Sequence, residues 1–313
     1  MDKLIIDTYI PADGTYLLLR ESQDGFNKIE LLDIKLDKKN SKLNITEEEK
    51  IRISYYDYYS KLVDMNKPID IKKIIQSNNY LSFWIKKESL SNGKLTVERI
   101  EYYYDILSDP YKKYKNQKDK ELYTLVAEEV GAINQEKLEK IKNWVINNVF
   151  NLPFELIGKD YLKIFFICDG TSFEKEGYRY ILPNIYNKND YNVKHGDEIL
   201  GLPNENMGLN SKKPYLENKS RKITVPTLAN TNQILYRKKF FDYLWNLTSL
   251  GQNNIYYDIN KNRIYPFDLK TSPNSNFNGY FMRIKKDKIE AAIIDMDMIT
   301  SYKPELEKSI VIE

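Results

Sequence analysis

Apolar residues alternate along some stretches of this chain and recur every three or four positions along others, and the two periods predict two kinds of element. Residues 4–10 and 15–20 are rich in Leu, Ile and Tyr. They flank Pro11-Ala-Asp-Gly14, whose turn chemistry predicts a hairpin. Residues 28–36 alternate and predict a third strand. Residues 80–86 predict a strand with 96–104 as its partner, 161–168 a strongly apolar central strand, and 178–185 another. Towards the C-terminal end, 255–259 with 263–269 across Asn260-Lys261-Asn262, and 280–286 with 289–295 across Asp287-Lys288, predict two further hairpins.

The helical period appears at 47–64, where Ile51, Tyr55, Tyr58 and Leu62 share one face behind a Thr46-Glu-Glu-Glu49 capping box. Pro68 ends that stretch. A short basic helix is expected at 69–76, broken by Ser77-Asn78-Asn79. Further helices are predicted at 120–130, stopped by Gly131, and at 135–150, capped by Asn134 with Leu138, Ile141, Val145 and Val149 inward. Another is predicted from a Thr231 cap to Gly251, with Ile234, Phe241, Leu244, Trp245 and Leu247 as its apolar residues.

The expected fold class is α+β: mixed, mainly antiparallel sheets with flanking helices and a long basic loop. The division expected from these elements is an N-terminal α+β subdomain at 1–110, a helical linker segment at 111–160, and a second α+β subdomain at 161–313 carrying the basic loop 186–230. So long a segment without period is uncommon in a compact domain unless it is functional or disordered. Within it, Lys212, Lys213, Lys219, Arg221 and Lys222 face one acid, Glu217, a local charge of +4 in a chain whose net charge is +3. The run from Tyr111 to Lys120 is similarly basic and fits a solvated linker or a binding arm.

Composition changes this picture in three ways. A 42% hydrophobic and 13% aromatic content belongs to a globular chain. The single cysteine, Cys168, excludes an internal disulfide framework and a cysteine-based zinc site. Lys, Asn, Ile and Tyr share A/T-rich codons, so isolated residues of these types carry little weight and clusters carry more. No secretory leader or membrane span is expected at the N-terminus or elsewhere, and a cytoplasmic location is expected.

Catalytic signals are weak. No glycine-rich phosphate loop of standard pattern occurs. His195 is the only histidine. Cys168 ends an apolar strand and fits an inert core thiol better than a nucleophile. Asp295 and Asp297 share one face of a strand and form a pair that could hold a cation, but no third carboxylate lies nearby in sequence. No cofactor and no metal are expected.

Several stretches, taken together and in order, resemble the large subunit of the type I-B CRISPR Cascade, the crRNA-guided surveillance complex. They are Asp7-Thr-Tyr-Ile-Pro-Ala-Asp-Gly14, Tyr56-Asp-Tyr-Tyr-Ser60 leading to Asn66-Lys-Pro-Ile-Asp70, and Lys73-Ile-Ile-Gln-Ser-Asn-Asn-Tyr80. Asn210-Ser-Lys-Lys-Pro-Tyr-Leu216, Ser220-Arg-Lys222 and Ile294-Asp-Met-Asp297 follow. Family members are usually longer and end in a helical bundle, so the chain resembles their N-terminal region.

The resemblance implies a non-catalytic subunit. Such a subunit binds near the 5′ handle of the crRNA, reads the protospacer-adjacent motif (PAM) of target dsDNA, starts R-loop formation, and recruits the separate CRISPR nuclease-helicase. Other Cascade subunits are implied partners. Base pairing would then read the target while protein reads a short duplex motif and the backbone, as in Cas9-type effectors. By motif position the candidate contacts are Asn66, Lys67, Lys73, Asn78 and Asn79 in one stretch. In the other they are Asn210, Lys212, Lys213, Tyr215, Lys219 and Arg221. Amides suit base edges and cations suit phosphates. A metal-dependent nuclease and a protein-interaction scaffold without nucleic-acid contact are the alternatives.

Overall fold

The computed structural model describes residues 1–23, 25–37, 42–168, 170–204, 228–287 and 291–304. Both helices and sheets are present, the sheets mostly antiparallel, which makes the fold α+β. The chain divides into two compact units. One comprises Tyr9–Pro203 with Leu228–Leu235, and the other Met1–Thr8, Asn204–Thr227 and Tyr236–Glu313.

The chain opens with a helix, α1 (Asp2–Thr8), in place of the strand expected at 4–10. Leu4-Ile5-Ile6 is an apolar run too short for its period to decide the element. The helix buries Ile5 and Ile6, and Thr8 Oγ1 donates to Leu4 O at 2.6 Å. Asn246 Nδ2 donates to Ile5 O at 3.0 Å, tying α1 to a later helix of the same unit.

The larger unit is built on a four-stranded sheet. β1 (Gly14–Ser22) and β2 (Gly25–Ile34) form an antiparallel pair that contains the strand expected at 15–20 and most of the one expected at 28–36. A two-rung ribbon of β3 (Leu36–Asp37) and β4 (Lys42–Leu43) follows. α2 (Glu47–Tyr58) begins at the capping box: Thr46 Oγ1 accepts from Glu49 N at 3.2 Å, and Glu49 Oε2 accepts from Thr46 N at 2.7 Å.

Beyond β5 (Ser82–Lys86) and the short α3 (Glu88–Ser91), residues 97–108 form α4 (Val97–Ser108), not the strand expected over 96–104. Its tyrosines suggest a strand, but Ile100, Tyr103, Tyr104 and Leu107 are buried at helical spacing. Thr96 Oγ1 caps the helix by accepting from Arg99 N. α5 (Gln117–Val130) and α6 (Gln135–Asn148) match expectation, and Asn134 caps α6.

β6 (Tyr161–Ile167) is central, as expected. It runs parallel to β1 and antiparallel to β5, giving the order β2-β1-β6-β5. The partner of β5 is therefore β6 rather than 96–104. α7 (Ser172–Ile181) replaces the strand expected at 178–185. Phe173, Gly177, Tyr180 and Ile181 lie on its inner face. Gly177 is required there, because a Cβ would come within 2.6 Å of the Tyr59 carbonyl oxygen.

Against the irregular loop expected over 186–230, the described parts are partly ordered. A small sheet joins β7 (Val193–His195), β8 (Glu198–Gly201) and β9 (Ala229–Asn230). α8 (Thr231–Ser249) starts from Asn230 rather than Thr231. Asn230 Oδ1 accepts from Gln233 N at 3.0 Å, and Gln233 Oε1 accepts from Asn230 N at 3.2 Å.

The second unit holds an antiparallel sheet of β10 (Asn254–Asp258), β11 (Arg263–Phe267), β12 (Phe277–Lys286) and β13 (Ala291–Tyr302), ordered β11-β10-β12-β13. Both strand pairs expected there are present, and residues 288–290, where the second turn is expected, lie outside the described residues. The first turns through Asn262, whose φ of 48° is a conformation that asparagine tolerates. Among the described residues, no helix is long and apolar enough to cross a membrane.

Candidate nucleic-acid interface

The stretch 66–79 is a chain of turns rather than a basic helix. Asp70 organises it. Its buried carboxylate accepts from the backbone N–H groups of Lys72 (3.0 Å), Ile74 (2.8 Å) and Ile75 (3.0 Å), and pairs with Arg99 Nη1 at 3.2 Å. Three backbone donors converging on one carboxylate enforce a tight reversal, and Lys73 sits in it at a left-handed φ of 59°. Lys72, Lys73 and the apolar Ile71 all project into solvent there. Asn66 is also exposed, and its amide donates to Asp64 Oδ1 at 3.0 Å.

The other candidates of this stretch face inward. Lys67 Nζ donates to the backbone oxygen of Asn184 at 3.0 Å and to that of Tyr186. Asn79 is fully buried. Its amide donates to Phe173 O at 3.0 Å and Tyr59 O at 3.4 Å, and its oxygen accepts from Leu81 N at 3.0 Å. These bonds hold the end of α2, the start of α7 and the entry to β5 together. Asn78 is 2% exposed, and neither of its side-chain polar atoms finds a partner among the described residues. Both amides thus lie in the core, away from any surface a nucleic acid could reach.

The candidates Asn210, Lys212, Lys213, Tyr215, Lys219 and Arg221 fall outside the described residues. The two ends of their segment are described. β8 and β9 pair through Leu200 with Asn230 and Gly201 with Ala229, so the segment leaves and returns at neighbouring strands. Tyr186 bridges Pro203, and its hydroxyl donates to Ile199 O at 2.9 Å.

This foothold connects to the first stretch, since Lys67 bonds the carbonyl of the same Tyr186. The Tyr111–Lys120 run reinforces the connection. Lys113 Nζ donates to Pro68 O at 2.6 Å and Lys67 O at 3.1 Å, and Lys118 Nζ donates to Asp190 O at 2.6 Å and Asn192 O at 2.8 Å. Tyr114 is buried, stacks on Tyr123 and accepts from Asn184 Nδ2 at 3.0 Å. Burial, and next the neighbouring Lys67, push the Lys113 ammonium pKa down to about 8. Lysines that look like phosphate ligands in sequence serve here as clamps on main-chain carbonyls.

Asp295 and Asp297 both lie exposed on β13, and Asp297 Oδ1 accepts from Met298 N at 2.7 Å. Among the described residues no group of three or more His, Cys, Asp or Glu side chains is placed to hold a metal ion. Sequence reasoning misses the cavity beside the C-terminal end of β6, because part of α7 reads as a strand. The Gly170-Thr171-Ser172 turn after an apolar strand is the available signal.

No protein-family model, no curated protein and no solved structure matches this chain.

Proposed function

We propose that this chain is a non-catalytic, nucleic-acid-binding subunit of a crRNA-guided type I CRISPR surveillance complex. In this reading it works in the cytoplasm with crRNA, target dsDNA and the other Cascade subunits. It lies near the crRNA 5′ handle, reads the PAM to start R-loop formation, and recruits the nuclease-helicase. The observation that supports the reading is the tie between Lys67 and the Tyr186 foothold. It joins the stretch that carries Lys72 and Lys73 to Tyr186, which bridges Pro203, just before the segment that carries Lys212, Lys213 and Arg221 in sequence. In this reading the two stretches serve one surface. Cations on it position a phosphate backbone, while exposed amides such as Asn66 are available to base edges.

The test is salt-dependent duplex binding by the chain alone and co-purified with the other Cascade subunits and crRNA. Lys212→Ala with Lys213→Ala should lower the log–log salt slope by roughly 2, about one for each phosphate no longer neutralised. A library of randomised PAM sequences should show selection that the double variant weakens. An unchanged slope and no selection, alone and in the complex, would overturn the proposal. A protein-interaction role is favoured by a separate observation, the exposed Ile294, Met296 and Met298 on β13. Unchanged DNA affinity after neutralising both basic stretches would select that role instead.

A further inference from the structure

β13 ends the sheet of the second unit, and among the described residues no strand pairs with its outer edge. Such an edge leaves a row of N–H and C=O groups open to another strand. Register shifts beside Ile294 and beyond Ile299 leave Asp295–Ile299 as its regular part. The two faces of that part differ. Met296 lies opposite Met282 and Met298 opposite Tyr280 on one face, while Asp295 lies opposite Arg283 and Asp297 opposite Phe281 on the other. The apolar face continues inward, because Met282 pairs with Ile255 and Tyr280 with Tyr257 on β10. Exposure along these two rungs rises towards the edge. Ile255 is buried, Met282 half-buried and Met296 exposed; Tyr257 is half-buried, and Tyr280 and Met298 are exposed. The rungs lack their last neighbour.

The acidic face selects the occupant. Arg283 stands opposite Asp295 but is engaged elsewhere: its Nε donates to Asn254 Oδ1 at 3.0 Å, and its guanidinium lies 5.5 Å from the centre of the Phe281 ring. Asp295 and Asp297 make no ion pair among the described residues. A second copy is a poor occupant. Antiparallel self-pairing centred on Met296 sets Asp295 of each copy against Asp297 of the other, and pairing centred on Asp297 sets that residue against its own counterpart. Like charges directly opposite destabilise a strand pair, and opposite charges stabilise it. Acids on an edge strand guard it against such self-association, but a guard does not require the apolar face beside it. A strand whose side chains alternate between apolar and basic complements both faces at once, since successive residues point to opposite sides.

We propose that the outer edge of β13 takes up an extended segment of a partner protein in which apolar and basic residues alternate. The segment's main chain continues the ladder beyond β13. Its apolar side chains cover Met296 and Met298, and its Lys or Arg side chains pair with Asp295 and Asp297. The ladder supplies affinity and the alternation supplies specificity and register. The surface lies wholly within the second unit and does not depend on the nucleic-acid binding proposed above.

Fluorescence anisotropy of the full chain with a labelled peptide alternating Val and Lys tests the edge, beside a Val–Glu peptide and a Val–Lys peptide with a central proline. The Val–Lys peptide should bind in the micromolar range. The other two should bind at least roughly tenfold more weakly, because one sets like charges opposite each other and the other breaks the ladder. Asp295→Asn with Asp297→Asn should weaken Val–Lys binding roughly fivefold, and Asp297→Lys should shift the preference towards the Val–Glu peptide. Glu128→Gln, an exposed acid of the larger unit, should leave binding unchanged. Asp295 and Asp297 are exposed, so their variants should unfold at the wild-type temperature. Hydrogen exchange supplies a second readout: the outward N–H groups of β13 should exchange quickly in the free chain and slow when the Val–Lys peptide binds. No binding, equal binding of all three peptides, or binding that the Asn variant leaves intact would overturn the proposal. Slow exchange at β13 in the free chain would overturn it too, giving the edge to a second copy if the chain sediments as a dimer and to the chain's own residues if it sediments as a monomer. Salt-dependent duplex binding that survives any of these failures would leave the proposed function standing.

Discussion

The two large sheets of this protein handle their surfaces in opposite ways. In the sheet β2-β1-β6-β5, the strands β6 and β5 are buried almost throughout, and β1 is buried over its first six residues. Even its polar residues are enclosed. Lys163 in the middle of β6 is 3% exposed, pairs with the fully buried Asp57 at 2.6 Å, and lies 4.0 Å from the centre of the Trp84 ring. Tyr9 donates to the other oxygen of that carboxylate at 3.1 Å. Burial pulls the Lys163 pKa down while Asp57 pulls it up, with a net lowering. In the sheet β11-β10-β12-β13, one face gathers Phe267, Phe277 and Phe281 around Tyr256. The long outer strand β13 is mostly exposed, and Met296, at 60% exposure, shows its apolar side chain to solvent. An uncovered edge of that kind is a natural place for strand or side-chain docking. A buried charge is thus a fixed part of the first core, while exposed methionine is a feature of the second surface.

The contrast can be broken most severely at Lys163. Lys163→Ala leaves Asp57 buried without its cation and should cost about 3–5 kcal/mol in urea unfolding. Lys163→Met combined with Asp57→Asn should cost clearly less, because no charge remains buried. A loss below about 1 kcal/mol for the single alanine variant would show that the pair is not enclosed.

A smaller effect is expected at Lys113, again in the larger unit. Its pKa is near 8 when folded and near the ordinary lysine value of 10.5 when unfolded. Between those values the unfolded chain holds the extra proton, so stability rises as pH climbs from about 8 towards 10.5. Below pH 8 both states are protonated and the penalty is constant. The rise should be about 1–3 kcal/mol and should flatten in Lys113→Met, read as unfolding midpoint against pH. A Lys113→Met profile that still rises as steeply as wild type would contradict the assignment.

The smallest effect belongs to the other sheet. Met296→Lys should change stability by no more than about 0.5 kcal/mol, since the side chain is exposed. A large loss would mean that β13 is covered in solution, and sedimentation of wild type against variant would show whether a second copy covers it.

Much of the local structure is legible in the chain. The Thr46 and Glu49 box, the Asn134 cap and the 260–262 turn are decided by bonds within a few residues, and each appears where its chemistry places it. Residues 4–10, 96–104 and 178–185 read as strands, wrongly, for one shared reason. Each is short and rich in tyrosine or branched residues, and only the partner surface chooses between the two periods. Among the candidate contacts, Asn66 and Lys73 lie at the surface their polarity suggests, whereas nothing local marks Asn79 as a core amide. Its partners, Tyr59 and Phe173, are brought to it by the fold.

What the sequence determined by itself was therefore the class of the fold, the caps and turns, and the concentration of positive charge between Lys212 and Lys222. The tertiary structure alone decided that β6 lies between β1 and β5, that Lys67, Lys113 and Lys118 grip carbonyls, and that Tyr80 shares a cavity wall with Lys137 and Lys175. The physical reason is range. Caps and turns are settled by neighbours along the chain, whereas a lysine's partner is settled by whichever acceptor packing brings within reach of its ammonium.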